Sequence, residues 1–505
     1  MNRWFAAALV AIFALGLAFR APDLRLRPMH NDEGVNAMKF RGLYVNHRYK
    51  YDPNEFHGPT LPYFTLPAAW LGDAQPFNDS SEAMFRAVPV VFGLALIFVL
   101  LPLARELGPK QTLWAALFTA LSPAMTFYSR DYIHEILLTF FTALAFVGAW
   151  RYWQTRKLVW AVVAGLAAGL MAATKETFVF SVFSMALAIV CVARPPFPPI
   201  KQYTRGTAVA LLIALVVAVL FFTSFGANRD GVVDSVRAYL PWLHRAGGAT
   251  PHTHPWYFYL QRLFFFHEGG PWIWSEAIIG LLAIFGAFIV RTPLGRVIRW
   301  YTLFLTIIYA LLSYKTPWCL LTFYHGMIVL AGIGAVAALE SCRQPWQKVA
   351  AVLVLVAGCV QLACQSWLAN FGSYKGALLC ADPINPYVYA QTSSDITRLT
   401  DLVDGLARVS PQKYETTVEV ISPESYWPLP WYLRRFHKVG FWDKIPDQPL
   451  APVMIVASSL DARFDERPDK THLMAGYFKL RPDVFFELYV SIDLWTRYVK
   501  STSSP

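Results

Sequence analysis

Four short polar segments, each beginning where an apolar run ends, gather most of the acid–base chemistry of the chain. The first is Met29-His30-Asn31-Asp32-Glu33-Gly34 and the second is Ser129-Arg130-Asp131-Tyr132-Ile133-His134-Glu135. The third is Thr174-Lys175-Glu176 and the fourth is Ser313-Tyr314-Lys315-Thr316-Pro317-Trp318. A carboxylate beside cations suits a reaction in which the acid takes a proton from a hydroxyl while the cations hold an anionic leaving group. The simpler reading is that each charge marks a membrane interface, and for one segment alone that reading is as good. Four segments mixing acids and bases weigh against it, because charges at a bilayer edge are costly unless paired or facing an aqueous cavity. Asp32, Glu33, Arg130, Lys175 and Lys315 are therefore expected to line one cavity.

The elements that position these segments are apolar. Of 505 residues, 56% are hydrophobic and 15% are charged, against ~25% charged in a soluble protein. Apolar runs fall at about 4–19, 87–104, 112–128, 136–150, 158–173, 177–193, 207–226, 271–290, 299–313, 319–339 and 349–369. At ~20 residues per crossing they predict an all-α polytopic bundle of about eleven transmembrane helices. The first run has the flavour of a signal peptide, with Arg3 ahead of it, but it fills the space from Arg3 to Arg20 and no A-x-A site follows. With the N-terminus cytoplasmic, every short inner connection is basic: Arg105 and Lys110; Arg151, Arg156 and Lys157; Arg194, Lys201 and Arg205; Arg291 and Arg296; Arg343 and Lys348. That is the positive-inside pattern, and it explains the net charge of +11 without nucleic acid, for which no binding motif is present. All four polar segments then share the outer face, as does everything after about residue 370.

The tail changes character. Short β-rich runs, Thr416–Ile421 and Pro452–Ala457, alternate with polar turns and one aromatic helix candidate, Trp427–Phe436. The expected division is 1–374 as the transmembrane domain and 375–505 as a soluble mixed α/β domain of ordinary size. Pro195–Pro199 reads as an inner-loop turn. The six cysteines form no CxxC, which speaks against a disulfide framework or a structural zinc site. His252-Thr253-His254 has a spacing compatible with zinc, although in a Pro-bounded loop an unliganded pair is the commoner outcome. His267-Glu268 precedes a span and could face the same cavity, whereas His325, inside an apolar run, reads as a hydrogen-bonded helix residue. Trp242, Trp256, Tyr257, Tyr259, Trp272 and Trp274 suit an interfacial belt, and Trp427 to Tyr432 suits either the core of the tail or a lid over the cavity.

Taken together and in order, these segments resemble a family. A first span followed at once by an Asp-Glu pair is similar to the GT-C membrane glycosyltransferases, which include protein O-mannosyltransferases and lipid A aminoarabinose transferases. His-Asn-Asp-Glu-Gly at 30–34, Ser-Arg-Asp-Tyr at 129–132, Thr-Lys-Glu at 174–176, Tyr-Lys-Thr-Pro-Trp at 314–318 and Tyr-Trp-Pro-Leu-Pro-Trp-Tyr-Leu-Arg at 426–434 resemble most the branch named for an archaeal flippase-activity-associated protein of N-glycosylation. The resemblance runs over nearly the whole chain. It implies transfer of a hexosyl or pentosyl group, with inversion, from a polyprenyl-phosphate carrier to a lipid, glycan or protein acceptor at the extracytoplasmic face of the cell membrane. It carries the catalytic role onto Asp32, as base or acceptor-orienting carboxylate, with Glu33 in support. Arg130, Lys175 and Lys315 become the candidates for the donor phosphate, and His30, Asp131, His134, Glu135, Glu176 and Tyr314 further substrate contacts. The first segment lacks the Asp-x-Asp similar to that of metal-holding oligosaccharyltransferases, which leaves a divalent metal open.

Two other classes compete. A flippase for lipid-linked sugars should show inverted repeats and Gly/Pro-broken midplane helices, and neither is evident. A non-catalytic scaffold of the cell envelope would leave the Asp32-Glu33 pair without a purpose. No Gly-rich nucleotide-binding loop points to a nucleotide-sugar donor.

Overall fold

The structure is a computed structural model describing residues 3–503 except 55–56, 73–75, 194–200, 242–251, 448–449 and 469; Arg194, the Pro195–Pro199 turn and Trp242 lie outside the described residues. Seven helices among those described are long and apolar enough to cross a membrane: Arg3–Arg20, Glu82–Leu107, Glu135–Thr155, Lys201–Phe222, Pro293–Leu311, Pro317–Ser341 and Pro345–Phe371. Leu158–Ala172, Phe178–Val192 and Ala277–Ile289 are shorter apolar helices on three further expected runs. The remaining run divides into Pro109–Leu121 and Pro123–Tyr128. Pro123 cannot donate to the preceding turn, and the Ser122 hydroxyl caps the second piece by accepting from Met125 N at 3.2 Å. The chain is a multi-pass helical membrane protein.

Burial sorts the helices. Lys201–Phe222 leaves Leu211, Leu212, Leu215 and Leu220 exposed, and Pro345–Phe371 leaves Val349, Leu353, Val356 and Val360 exposed. Those faces are apolar and uncovered by protein, as lipid-facing surfaces are. Leu321–Ser341 is instead buried nearly all round, the property of a central helix.

The first outer segment is a helix and not the expected loop. Asn31–Asn46 starts at a capping box: His30 Nδ1 accepts from Asp32 N at 3.1 Å, and the Glu33 carboxylate accepts from His30 N at 2.8 Å. A second helix, Thr60–Leu71, follows.

After the last span, the hairpin β1 (Ser373–Tyr374) and β2 (Ala377–Leu378) leads into a five-stranded sheet. Its strands are β3 (Val418–Ile421), β4 (Val439–Trp442), β5 (Val453–Ala457), β6 (His472–Arg481) and β7 (Val484–Ser491), in the order β4-β3-β5-β7-β6. The β4-β3-β5 part is parallel and the β5-β7-β6 part antiparallel. Strands β3 and β5 are buried along their length, as strands covered on both faces must be. Ile396, Leu399, Val403 and Leu406 recur at helical spacing on Asp395–Val409 and join the core on one face. Phe464, Met454, Val456 and Tyr489 form the core on the other. The aromatic helix candidate shrinks to one turn, Leu429–Tyr432, because Pro428 and Pro430 supply no backbone donors to lengthen it.

Candidate active site

A cavity of about 380 Å³ opens where the polar segments converge. Asn31, Asp32 and Asn36 reach it from the capped helix, and His57 from the segment between that helix and Thr60–Leu71. Ile133, His134 and Glu135 come from the second segment, Lys175 from the third, and Tyr314, Thr316, Trp318 and Cys319 from the fourth. Trp427 closes it from the C-terminal domain. Backbone pairing sets part of this wall: Gly58 N donates to Thr174 O at 3.0 Å and Thr60 N to Ala173 O at 3.1 Å. A Cβ at Gly58 would stand 2.1 Å from Ala173 O, so only glycine allows this approach.

The two neighbouring acids have separate fates. Asp32 is partly buried in the first turn of its helix, where the N-terminal dipole favours a carboxylate. Its side chain accepts from Asn31 Nδ2 at 3.1 Å and, among the described residues, forms no ion pair. Glu33 is fully buried and faces away from the cavity. Arg86 donates to both of its oxygens, Nε at 2.8 Å and Nη2 at 2.6 Å, and the backbone N–H groups of Tyr132 and His30 complete the set at 2.9 and 2.8 Å. Burial pushes the Glu33 carboxyl up, but the opposite charge and hydrogen bonds of Arg86, with Arg27 and His30, hold it down at about 2. Its lone pairs are used, so the expectation that Glu33 lines the cavity is corrected: it anchors the turn that presents Asp32.

The other acids of the cavity are held by basic groups. Lys175 donates to Glu135 and lies 3.9 Å from Cys319 Sγ. Burial disfavours the ammonium, and Cys319 and Glu135 outweigh that, keeping Lys175 above its ordinary range. Glu176 accepts from His57 Nδ1 at 2.8 Å and from the Tyr51 hydroxyl at 3.2 Å, behind the cavity wall. His134 donates from Nε2 to Gly58 O at 3.0 Å, and burial, then His57 and Lys175, push it well below the usual histidine range. His30 Nε2 donates to Tyr389 O at 3.0 Å, while Trp318 stands edge-on to the His30 ring at 5.5 Å.

Three more expectations about the shared cavity are corrected. Arg130 donates to the carbonyl oxygens of Arg20, Pro22 and Asp23 at 2.9, 2.6 and 3.1 Å, and stacks over Phe371. It therefore ties down the turn after the first span. Asp131 is paired with Arg27. Lys315 points at the carbonyls of Leu312 and His254 and is buried by them. Each of these groups found its partners within the outer loops, which satisfied the cost of a charge at the bilayer edge without a common cavity.

Arg86, Arg27, His57 and Tyr389 were missed. Arg86 and Arg27 lie outside the four polar segments that the sequence singles out, and His57 and Tyr389 carried no spacing signal. The histidines of His252-Thr253-His254 both meet the Tyr389 hydroxyl, at 2.8 Å from Nδ1 and 3.0 Å from Nε2. Among the described residues no group of three or more His, Cys, Asp and Glu is arranged to hold a metal ion. His267 and Glu268 are exposed, and His325 is buried in its helix beside Thr322 and Tyr301. Trp431 joins the hydrophobic core of the helix bundle, edge-on to Phe85 at 5.2 Å with Nε1 donating to Glu82 at 3.0 Å. The Trp427–Tyr432 stretch thus serves as both anchor and cavity wall.

Comparison with known proteins agrees with this architecture. A family model described as dolichyl-phosphate-mannose-protein mannosyltransferase matches residues 72–221. Lipid A galacturonosyltransferase RgtD of Rhizobium johnstonii is 27% identical over 163 residues, 31% of this chain and 33% of that protein; the match spans only that third of the curated relative. Among solved structures, ArnT from Cupriavidus metallidurans bound to undecaprenyl phosphate superposes with a TM-score of 0.67 at 13% identity, over 97% of this chain and 98% of its own. The Archaeoglobus fulgidus oligosaccharyltransferase tethered with an acceptor peptide gives 0.58 at 13% identity, over 87% and 64%. The chain has the GT-C fold that its sequence led us to expect.

Proposed function

We propose that this protein is a GT-C glycosyltransferase that moves a sugar from a polyprenyl-phosphate carrier to an acceptor hydroxyl. The observation that carries the reading is Asp32. Among the described residues it is the cavity carboxylate without an ion pair, its charge felt by the His252 imidazole, while Glu135 is paired with Lys175 and Glu176, behind the wall, with His57. A hydroxyl is a poor nucleophile until a carboxylate accepts its proton. As Asp32 takes that proton, the acceptor oxygen forms its bond to the anomeric carbon from the face opposite the phosphate. The carbon–oxygen bond to the phosphate breaks as that bond forms, and the polyprenyl phosphate leaves with inversion at the sugar. We assign the leaving phosphate to Lys175, which lines the cavity and would exchange its Glu135 partner for that phosphate. Trp318, Trp427 and the tyrosines at 259, 309 and 314 give the cavity aromatic walls suited to a sugar face.

The relatives support this reading by what they are named for: a mannosyltransferase family, a galacturonosyltransferase, and an ArnT structure holding undecaprenyl phosphate. Basic inner loops favour an extracytoplasmic cavity in the inner membrane, with residues 375–505 outside as a separate domain. The test uses purified full-length protein in lipid nanodiscs with sugar-labelled polyprenyl phosphates of several sugars. The reading expects sugar transfer and stoichiometric release of polyprenyl phosphate. Movement of the lipid-linked sugar between leaflets without any transfer would replace it with the flippase alternative.

A further inference from the structure

A second cavity, of about 370 Å³, lies outside the spanning helices between the juxtamembrane segment 377–394, the β6–β7 turn and Arg262. That is within the usual size of a small-ligand pocket, ~300–1,000 Å³. Tyr389 stands between it and the transfer cavity. It lines the second cavity, its ring meets Trp318 of the first at 6.0 Å, and its hydroxyl binds His252, whose ring lies 4.9 Å from that of Tyr314.

The wall of this cavity is electrostatically unfinished. Arg262, Lys479 and Arg481 face two carboxylates, Glu268 and Asp382. Glu268 is exposed, and the Asp382 carboxylate accepts from Ile384 N at 2.9 Å. Among the described residues neither arginine forms an ion pair. Arg262 donates to Pro386 O and lies over the rings of Phe258 and Phe266 at 4.7 and 5.2 Å, while Arg481 donates to Ser425 O. Burial lowers the pKa of both. Gln391 is 6% exposed, and among the described residues its Nε2 has no hydrogen-bond partner. Partly buried arginines that feel Glu268 and Glu424 without forming an ion pair to either, and a buried amide donor without an acceptor among the described residues, both leave free energy that an anion would recover.

We propose that this cavity binds the acceptor through an anionic group, a sugar-borne phosphate or carboxylate, held by Arg262, Arg481, Lys479 and the Gln391 amide. The identity of the ligand as acceptor rests on the transferase reading; the anion site itself does not. The donor phosphate is a poorer occupant, because its polyprenyl chain needs a bilayer-facing groove and most of this cavity's wall comes from segment 377–394 and the β6–β7 turn, beyond the last span.

The experiment is calorimetric titration of the full-length protein in detergent with glucose 6-phosphate, glucuronate, glucose and inorganic phosphate. Glucose 6-phosphate and glucuronate should bind saturably and glucose should not. Binding should weaken by about tenfold or more in R262Q and R481Q, the loss expected for a charged hydrogen bond. Arg262 is packed against aromatic rings, so K479Q, at an exposed lysine, supplies a variant safe for folding and should weaken binding in the same direction. Undecaprenyl phosphate, titrated separately, should bind the variants as it binds wild type and should not displace glucose 6-phosphate. Unchanged binding in R481Q and K479Q, or displacement by undecaprenyl phosphate, overturns the proposal. Inorganic phosphate binding as tightly as glucose 6-phosphate overturns the sugar-borne ligand. Failure of sugar transfer with these titrations intact would instead remove the transferase reading and leave the anion site standing.

Discussion

Asp32 and Glu33 are adjacent acids of one chemical type, and their surroundings give them opposite work. Consecutive positions on a helix point about 100° apart, so one carboxylate reaches the cavity and the other is buried on Arg86. Removing the Glu33 charge leaves buried Arg86 without its counterion, which for a buried pair costs about 3–5 kcal/mol. Glu33→Gln should therefore lower the melting temperature in detergent. Its carboxyl is held at about 2 in the fold, against ~4.3 in an unfolded chain. The stabilisation is present above ~4.3 and is lost as the pH falls from there towards 2, so wild type should lose stability across that window and Glu33→Gln should lose less. An identical acid limb in both proteins would show that Glu33 is not held this way. Lys175→Ala should weaken polyprenyl-phosphate affinity, read by titration, by roughly tenfold or more; unchanged affinity would remove Lys175 from the donor site. The sequence made the acidic pair legible because two carboxylates beside a span end demand an explanation. It could not divide their roles, since Arg86 is drawn in from another helix. Arg130 and Lys315 misled for the related reason that backbone carbonyls, which carry no residue identity, became their partners.

At the scale of elements, the apolar runs were legible because twenty apolar residues in a row have few other uses, whereas Asn31–Asn46 was not. That helix is polar in composition, and its start depends on a histidine cap that ordinary capping preferences would not flag. Its first turn packs against the C-terminal domain, where a Cβ at Gly34 would stand 2.7 Å from Pro428 Cβ. Gly34→Ala must push that segment away, an overpacking that costs about 1–3 kcal/mol. It should lower both thermal stability and sugar transfer, because Trp427 and Asp32 move apart together. Trp431→Ala, which empties a site between Phe77 and Phe85, should cost about 3–5 kcal/mol. A melting curve unchanged by both substitutions would mean that the two parts of the chain do not depend on this contact.

For the whole molecule, the C-terminal sheet domain and the membrane bundle meet over the turn that carries Asp32. Met29 N donates to the Tyr432 hydroxyl at 2.9 Å and Thr392 donates to Met29 O at 2.7 Å, so the tail and the cavity must lie on one side of the membrane. The sequence expected this arrangement from loop charge alone, and it left open whether Trp427 to Tyr432 would be the core of the tail or a lid over the cavity, where Trp427 now supplies a wall. Alkaline phosphatase fused after the C-terminal helix Ile492–Ser503 should be active, as a reporter outside the cytoplasm is; a signal from a cytoplasm-dependent reporter at the same point would reverse the orientation. The central claim is that Asp32 is the proton acceptor in sugar transfer, and Asp32→Asn tests it most directly because it keeps the size and loses the basicity. With sugar transfer and donor affinity measured separately on the same purified protein, turnover should fall by ~10²–10⁴-fold while polyprenyl-phosphate donor binding stays as in wild type. Transfer by Asp32→Asn at the wild-type rate would contradict the account.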